Sequence, residues 1–329
     1  MDTLETLTQQ IMDGHQVTRE EALWLSKQPL EHLCRQADRI RRHFCKNTFD
    51  LCTIINGKSG RCSENCKFCA QSAHNHTDAD TYPLLSKEEI LADAKKQAAQ
   101  GVLRYSIVTA GKALSDAEID IMCDTIRQIR QETTLSVCVS FGLLTESQFR
   151  RLKDAGVSRV HNNLETSERH FPNICTTHTF ADKVSAIQAA QQAGLTVCSG
   201  GIMGMGETMA DRIDMALALR GLGITSVPVN VLNPIPGTPF GEYPTLSEAE
   251  VLGILALYRF LLPAASIRMA GGRGLLPDGG KSCFLSGANA AITGDMLTTA
   301  GITAQTDLQM LTELGYEVKL DETTDGHRH

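Results

Sequence analysis

The chain has 329 residues, 42% hydrophobic and 21% charged, with a net charge of −7. That balance fits a globular protein, and nothing in it favours nucleic acid or an anionic membrane as partner. No apolar run reaches membrane-spanning length, and Met1-Asp-Thr-Leu-Glu-Thr-Leu lacks the basic-then-apolar order of a signal peptide. Eleven cysteines without an export signal therefore point to a reducing cytosol and to metal chemistry. Being odd in number, they could not all pair within one chain.

In chain order, residues 1–48 read as short amphipathic helices. Leu4, Leu7 and Ile11, then Ala22, Leu23 and Leu25, keep helical spacing, and Thr18-Arg-Glu-Glu21 is a capping box. From there apolar, β-rich runs alternate with helical stretches. The runs are Leu51–Ile55, Leu103–Thr109, Leu135–Ser140, Val157–Asn162, Leu195–Ser199, Val227–Leu232 and Ser266–Ala270, with a further candidate at Ala290–Thr293. Helix starts follow at Ser86-Lys-Glu-Glu89, Ser115-Asp-Ala-Glu118, Thr145-Glu-Ser-Gln148 and Ser247-Glu-Ala-Glu250, and Gly101, Gly156 and Gly194 offer left-handed C-caps. Continuous apolar strands separated by helices indicate a parallel sheet covered by helices. Seven or eight such units predict a (β/α)8 TIM-type barrel rather than an open doubly wound sheet. The predicted organisation is an N-terminal helical extension at 1–48, a barrel at 49–316 that ends in a C-terminal capping segment, and a polar tail at 317–329. Asp321 to His329 reads as disordered, with no role for His327 or His329.

The densest chemistry lies just after the first strand, in Cys62-Ser-Glu-Asn-Cys66-Lys-Phe-Cys69. Three thiolates at spacings of four and three can converge on one centre and leave a further coordination position open. Such a set suits either zinc or an iron–sulfur cluster. His74 and His76 are the nearby candidates for a fourth protein ligand. In a barrel, chemistry belongs at the carboxyl ends of the strands, which is where this loop falls.

Cys-x3-Cys-x2-Cys in that position resembles the radical S-adenosylmethionine superfamily, and downstream blocks narrow the resemblance to the biotin synthase family. The blocks are Asn163-Leu-Glu-Thr166, Cys175-Thr-Thr-His-Thr179, Val197-Cys-Ser-Gly-Gly-Ile-Met-Gly-Met-Gly-Glu-Thr208, Asn230-Val-Leu-Asn-Pro-Ile-Pro-Gly-Thr238 and Ser286-Gly-Ala-Asn289. Singly the glycine run is weak evidence; in order, the blocks are specific. The resemblance implies a [4Fe–4S] cluster on Cys62, Cys66 and Cys69, with S-adenosylmethionine on its open iron and Phe68 near the adenine. It implies sulfur insertion into dethiobiotin, with an auxiliary iron–sulfur cluster as sulfur donor. Cys138, Cys198 and Arg268 match positions that hold that cluster, whereas Ser106 stands where the family carries a third strand cysteine. A serine hydroxyl substitutes poorly for a soft thiolate, so Cys175 is the expected replacement, in a cluster of [2Fe–2S] type or larger. Thr109, Ala110, Asn163, Glu165, Lys183 and Asn230 match positions around S-adenosylmethionine. Asn163, Asn230, Thr298 and Thr299 match positions near the substrate. The resemblance further implies a flavodoxin or ferredoxin-type electron donor and a homodimer.

Each of these positions also has a plain structural reading: a small buried hydrophobe for each strand cysteine, a buried ion pair for Arg268, loop packing for Cys175 and Phe68. Cys34, Cys45, Cys52, Cys123 and Cys283 read as packing residues. Two other functions stay open at this stage. One is a related radical enzyme, such as an [FeFe]-hydrogenase maturase or methylornithine synthase; the other is a non-catalytic metal-binding protein.

Overall fold

The computed structural model describes residues 3–320; Met1, Asp2 and the polar stretch Asp321–His329 lie outside the described residues. Eight parallel barrel strands follow one another round a closed ring. They are β1 (Thr48–Lys58), β2 (Arg104–Thr109), β3 (Ser136–Ser140), β4 (Val157–His161), a fifth strand in two pieces, β5 (Thr196–Cys198) and β6 (Gly201–Met203), then β7 (Ser226–Val231), β8 (Ser266–Met269) and β9 (Ala290–Thr293). β9 pairs back onto β1, Asp50 opposite Ala290, and this closes the barrel. The (β/α)8 expectation is met. The sequence reading missed β6 and a two-residue strand, β10 (Glu317–Val318), which pairs with Thr48 and Phe49 outside the ring. The predicted tail therefore begins inside the sheet.

Helices occupy the expected connections: α4 (Lys87–Ala99), α5 (Asp116–Glu132), α6 (Glu146–Asp154), α7 (Phe180–Gln192), α8 (Met209–Gly221) and α9 (Glu248–Leu261). Every capping box read from sequence forms, and α7 and α8 add two more, Thr179 with Asp182 and Thr208 with Asp211. Aspartate replaces the usual Glu or Gln at the third position of those two boxes, which hid them from the pattern. Gly101, Gly156 and Gly194 adopt φ of +82°, +106° and +78°, as left-handed caps require. The N-terminal helices α1 (Leu4–Met12), α2 (Arg19–Leu25) and α3 (Leu30–Cys45) lie against the barrel's helical layer, α3 on α9 and α2 on α8. No helix among the described residues is long and apolar enough to cross a membrane.

Strand alternation sorts the residues into two environments. In β2, Tyr105 and Ile107 join the apolar core between sheet and helices, as do Val137 and Val139 in β3 and Ile267 and Met269 in β8. Their neighbours Arg104, Ser106, Cys138 and Arg268 line a central cavity. TIM barrels usually fill this space with branched apolar side chains. Here it holds charge and sulfur.

Candidate active site

The floor of the cavity is built on Asp50, a mid-strand carboxylate 1% exposed. Arg104 Nε lies 3.3 Å from Asp50 Oδ1, and Arg268 Nη2 and Arg159 Nη1 lie 3.0 and 3.4 Å from Oδ2. Burial pushes the Asp50 carboxyl up, but the charges of Arg268, Arg104 and Arg159 outweigh it and hold the group far below the usual carboxylate range. Three guanidinium groups thus converge on one buried carboxylate beneath the cavity. Such a floor favours anions above it.

Two thiols meet that floor. Arg104 Nη1 donates to Cys138 Sγ (3.7 Å), and Ser226 Oγ donates to Cys198 Sγ (3.2 Å). Burial pushes the Cys198 thiol up; a bond from His161 and the charges of His161, Arg268 and Arg159 overcome this and bring it down to about 6. Arg268, besides its ion pair, donates through Nη1 to the carbonyls of Asp50 and Ala291, both at 2.9 Å. Cys138, Cys198 and Arg268 thus share one cavity of about 350 Å³. A thiolate-bound, anionic group fits this donor set.

Cys52 lines the same cavity, on β1 beside β2, and is 6% exposed. Burial pushes its thiol up to about 12, with the charges of Arg268 and Cys138 both acting on it. Its reading as a packing residue did not anticipate that it lines this cavity. A strand of near-continuous apolar character gave no signal of which face its cysteine would take, because barrel closure decides that.

The rim comes from the loops after β4, β6 and β7. Glu165 adopts φ of +71°, a left-handed conformation costly for a residue with a side chain. It is held there by two bonds to the fifth strand, Glu165 N–H to Gly200 O (3.0 Å) and Ile202 N–H to Glu165 O (2.9 Å). The approach needs glycine on the other side. A Cβ on Gly201 would lie 2.3 Å from Glu165 O, and one on Gly200 would lie 1.9 Å from Pro228 O. Asn163 accepts from Gly200 N–H (3.0 Å) and offers Nδ2 to Glu165 (3.3 Å), while Asn230 bridges Gly201 O (3.1 Å) and Gly271 N–H (2.9 Å). Burial pushes the Glu165 carboxyl up despite the charges of Lys183 and His161. Lys183, half-buried on α7, donates to Asn162 Oδ1 (3.3 Å).

Above the rim sits the cysteine loop. Asn75 Nδ2 donates to the carbonyls of Cys66 (3.2 Å) and Cys69 (2.8 Å), and Cys62 and Gln71 pair through the backbone. His76 N–H donates to Gly237 O (3.0 Å), which ties this loop to the Pro-Ile-Pro-Gly turn after β7; a Cβ on Gly237 would lie 1.8 Å from His76 O. His74 is occupied with Ser63 O through Nε2 (3.0 Å). Neither histidine joins the thiols here. The three cysteines are half-buried, and burial chiefly pushes the Cys69 thiol up to about 11, with the charges of Cys62 and Glu165 adding to it. Three thiols in one eight-residue loop fit a thiolate-held cluster. Phe68 spans both regions: it lines the cavity and packs against the apolar cluster that includes Phe171, Ile174 and Met205.

The expected grouping of Cys175 with Cys138 and Cys198 is corrected. Cys175 is not on the cavity wall; it lies under the cysteine loop, its Sγ 3.7 Å from Cys66 Sγ and 3.4 Å from His178 Nδ1. His178 Nδ1 is also 2.6 Å from Glu64 Oε2. The ligand atoms of Cys66, Cys175 and His178 lie within 4.8 Å of one another, a single-ion spacing. The bond to Cys66 lowers the Cys175 thiol, with His178 adding to the effect. Residue 175 follows a one-turn helix (Phe171–Asn173) that carries it away from the strand mouth and up against the loop.

Thr298 and Thr299 stand at the cavity's edge in the loop after β9, the first exposed and the second half-buried. Thr109 ends β2, and Ala110 N–H donates to Lys58 O (2.8 Å). Neither of those two is on the cavity wall.

Residues 28–219 match the model of the Radical SAM superfamily, and residues 228–317 match the Biotin and Thiamin Synthesis associated domain. The chain is 58% identical to the biotin synthase of Brachyspira hyodysenteriae over 97% of its own length and 96% of the relative's. It is 56% identical to that of Akkermansia muciniphila, over 97% and 100%. Among solved structures, methylornithine synthase superposes with a TM-score of 0.83 at 20% identity, covering 95% of this chain and 97% of that one. An [FeFe]-hydrogenase maturase superposes at 0.81 and 17%, covering 94% and 74%. The last two likenesses concern the fold.

Proposed function

The chain belongs to the biotin synthase family of the radical S-adenosylmethionine superfamily, and from that premise we propose how its own residues divide the work. The family's reaction is sulfurtransfer: sulfur is inserted into dethiobiotin, with S-adenosylmethionine consumed. When bound, the loop cluster and S-adenosylmethionine supply a radical able to abstract hydrogen from unactivated carbon, and the auxiliary cluster supplies the sulfur.

Cys62, Cys66 and Cys69 hold the first cluster. Glu165, fixed in its strained conformation, accepts hydrogen bonds from ribose hydroxyls, with Asn163 bracing the carboxylate. Lys183 adds a point charge on the same side, Phe68 packs against the adenine, and Thr109 and Ala110 offer backbone groups at the end of β2. Asn163, Asn230, Thr298 and Thr299 hold dethiobiotin between rim and floor. Cys138, Cys198 and Arg268 form the auxiliary site, which holds a [2Fe–2S] or larger cluster. The electron comes from a flavodoxin or ferredoxin-type donor, and the enzyme works as a cytosolic homodimer; these last points rest on family membership and cysteine content.

The observation that carries this reading is one cavity with thiols and three guanidinium groups at its floor and a carboxylate–amide rim beneath a three-cysteine loop. The test is anaerobic. Reconstituted protein with reductant and S-adenosylmethionine should release 5′-deoxyadenosine and form biotin only when dethiobiotin is present. Cys198→Ala should keep some 5′-deoxyadenosine release and lose biotin. Colourless, zinc-loaded protein without cleavage would instead favour the single-ion group of Cys66, Cys175 and His178.

A further inference from the structure

Ser106 leaves the proposed auxiliary site one thiolate short of the family's pattern. Of the eleven cysteines, Cys62, Cys66 and Cys69 belong to the loop, and Cys175 lies against Cys66. Cys34 and Cys45 are on α3, Cys123 is on α5, and Cys283 is on the short helix Lys281–Phe284. The remaining three, Cys52, Cys138 and Cys198, all line the central cavity.

Register supports the exchange. β1 and β2 are neighbours, with Cys52 opposite Arg104 and Ile54 opposite Ser106; Ser106 in turn faces Cys138 on β3. A thiol moved from the second strand to the first therefore stays beside the same pocket. It also stays above the same floor, where Arg104, Arg159 and Arg268 surround Asp50.

We propose that Cys52 is the third thiolate ligand of the auxiliary iron–sulfur cluster, joining Cys138 and Cys198 and standing in for the residue lost at Ser106. This rests on the reading that the cavity holds such a cluster. A three-thiolate set on β1, β3 and β5 draws on different strands from one that uses β2. The pocket over Ser106, with a small hydroxyl in place of a bound sulfur, is left open for substrate or for a larger cluster.

The test reads iron rather than turnover. With Cys62, Cys66 and Cys69 all changed to Ala, anaerobic reconstitution should leave a cluster visible by iron and sulfide content and by Mössbauer spectra. Adding Cys52→Ala should lower its iron affinity at least about tenfold, as should Cys138→Ala, whereas Cys123→Ala should not. Adding Ser106→Cys to the Cys52→Ala protein should restore iron. Alkylation mapping of the otherwise native protein covers the case of a variant that fails to fold. Cys52 should be protected in the reconstituted form and be modified at a rate at least about tenfold higher once iron is removed under mild denaturant. Full iron in Cys52→Ala beside its loss in Cys138→Ala would overturn the proposal and leave the auxiliary cluster standing. No cluster at all without the loop cysteines would overturn both.

Discussion

Asp50 sits under three guanidinium groups, and its carboxylate is an anion that Arg104, Arg159 and Arg268 share. Removing that charge strands buried cations, a change that costs about 3–5 kcal/mol in comparable pairs. Asp50→Asn should therefore lower the stability of cluster-free protein by about that amount, measured by urea unfolding without oxygen. Reconstitution should recover part of the loss, because thiolate ligands then supply anions above the floor. An equal loss with and without clusters would show that floor and thiolates do not share charge. Glu165 makes a complementary case at the rim. Its φ of +71° is fixed by backbone bonds to Gly200 and Ile202, so the side chain can change without moving the loop. Glu165→Gln should leave the melting temperature unchanged and weaken S-adenosylmethionine binding about tenfold, the worth of one charge-assisted hydrogen bond. Equilibrium dialysis on reconstituted protein reads this directly, and unchanged affinity would remove Glu165 from the ribose contact.

Two elements carry the rim, and both can be tested as elements. The fifth strand is split between β5 and β6 because Ser199-Gly200 brings its backbone against Pro228. Gly200→Ala would place a methyl 1.9 Å from a carbonyl that cannot move without shifting β7. It should destabilise the chain by roughly 3 kcal/mol or more, an overpacking cost, while Gly221→Ala, with open space around it, should be nearly neutral. Similar urea midpoints for the two variants would refute the close-approach argument. Helix α8 is fastened by Asp211, which caps its own first turn through Thr208 and accepts from Ser167 Oγ (2.6 Å) and Arg169 Nε (2.9 Å). Burial raises the Asp211 carboxyl, and the bonds from Arg169, Ser167 and Thr208 overturn this and hold it well below the usual range. A lowered folded value means stabilisation present above the unfolded value near 4 and lost as pH falls through the folded one. Asp211→Asn should cost about 1–3 kcal/mol at pH 7, and the gap from wild type should narrow between pH 4 and pH 2. A gap constant over that range would rule out the carboxylate as its source.

At the scale of the molecule, the N-terminal helices are part of the barrel's outer layer. Leu33, Ala37 and Ile40 on α3 are buried, and Arg259 on α9 donates to Asn289 Oδ1 (2.7 Å) and to Gly287 O (2.8 Å) behind them. A chain starting at residue 47 would expose this face, each large apolar side chain forfeiting about 1.5–3 kcal/mol. Such a truncation should be recovered insoluble, or as an aggregate by light scattering, and a soluble monomer with native circular dichroism would show that the extension is dispensable.

Much of this architecture is legible locally. Strand runs, helix starts and glycine caps depend on residues within a turn or two of one another, so β1 to β5 and β7 to β9, and most capping boxes, can be read directly. The Cys62–Cys69 loop is equally local, since its three ligands come from eight consecutive residues. What could not be read is convergence. Whether Cys52 faces the helices or the cavity depends on how β1 pairs with both β2 and β9, and that pairing exists only once the ring has closed. Cys175 shows the converse: a motif places it in the right block, but a one-turn helix carries it to Cys66 and away from Cys138 and Cys198. The sequence by itself determined the barrel, the three-cysteine loop and the family. The tertiary structure decided which cysteines share a pocket, because side chains far apart in the chain meet only where register and barrel closure bring them.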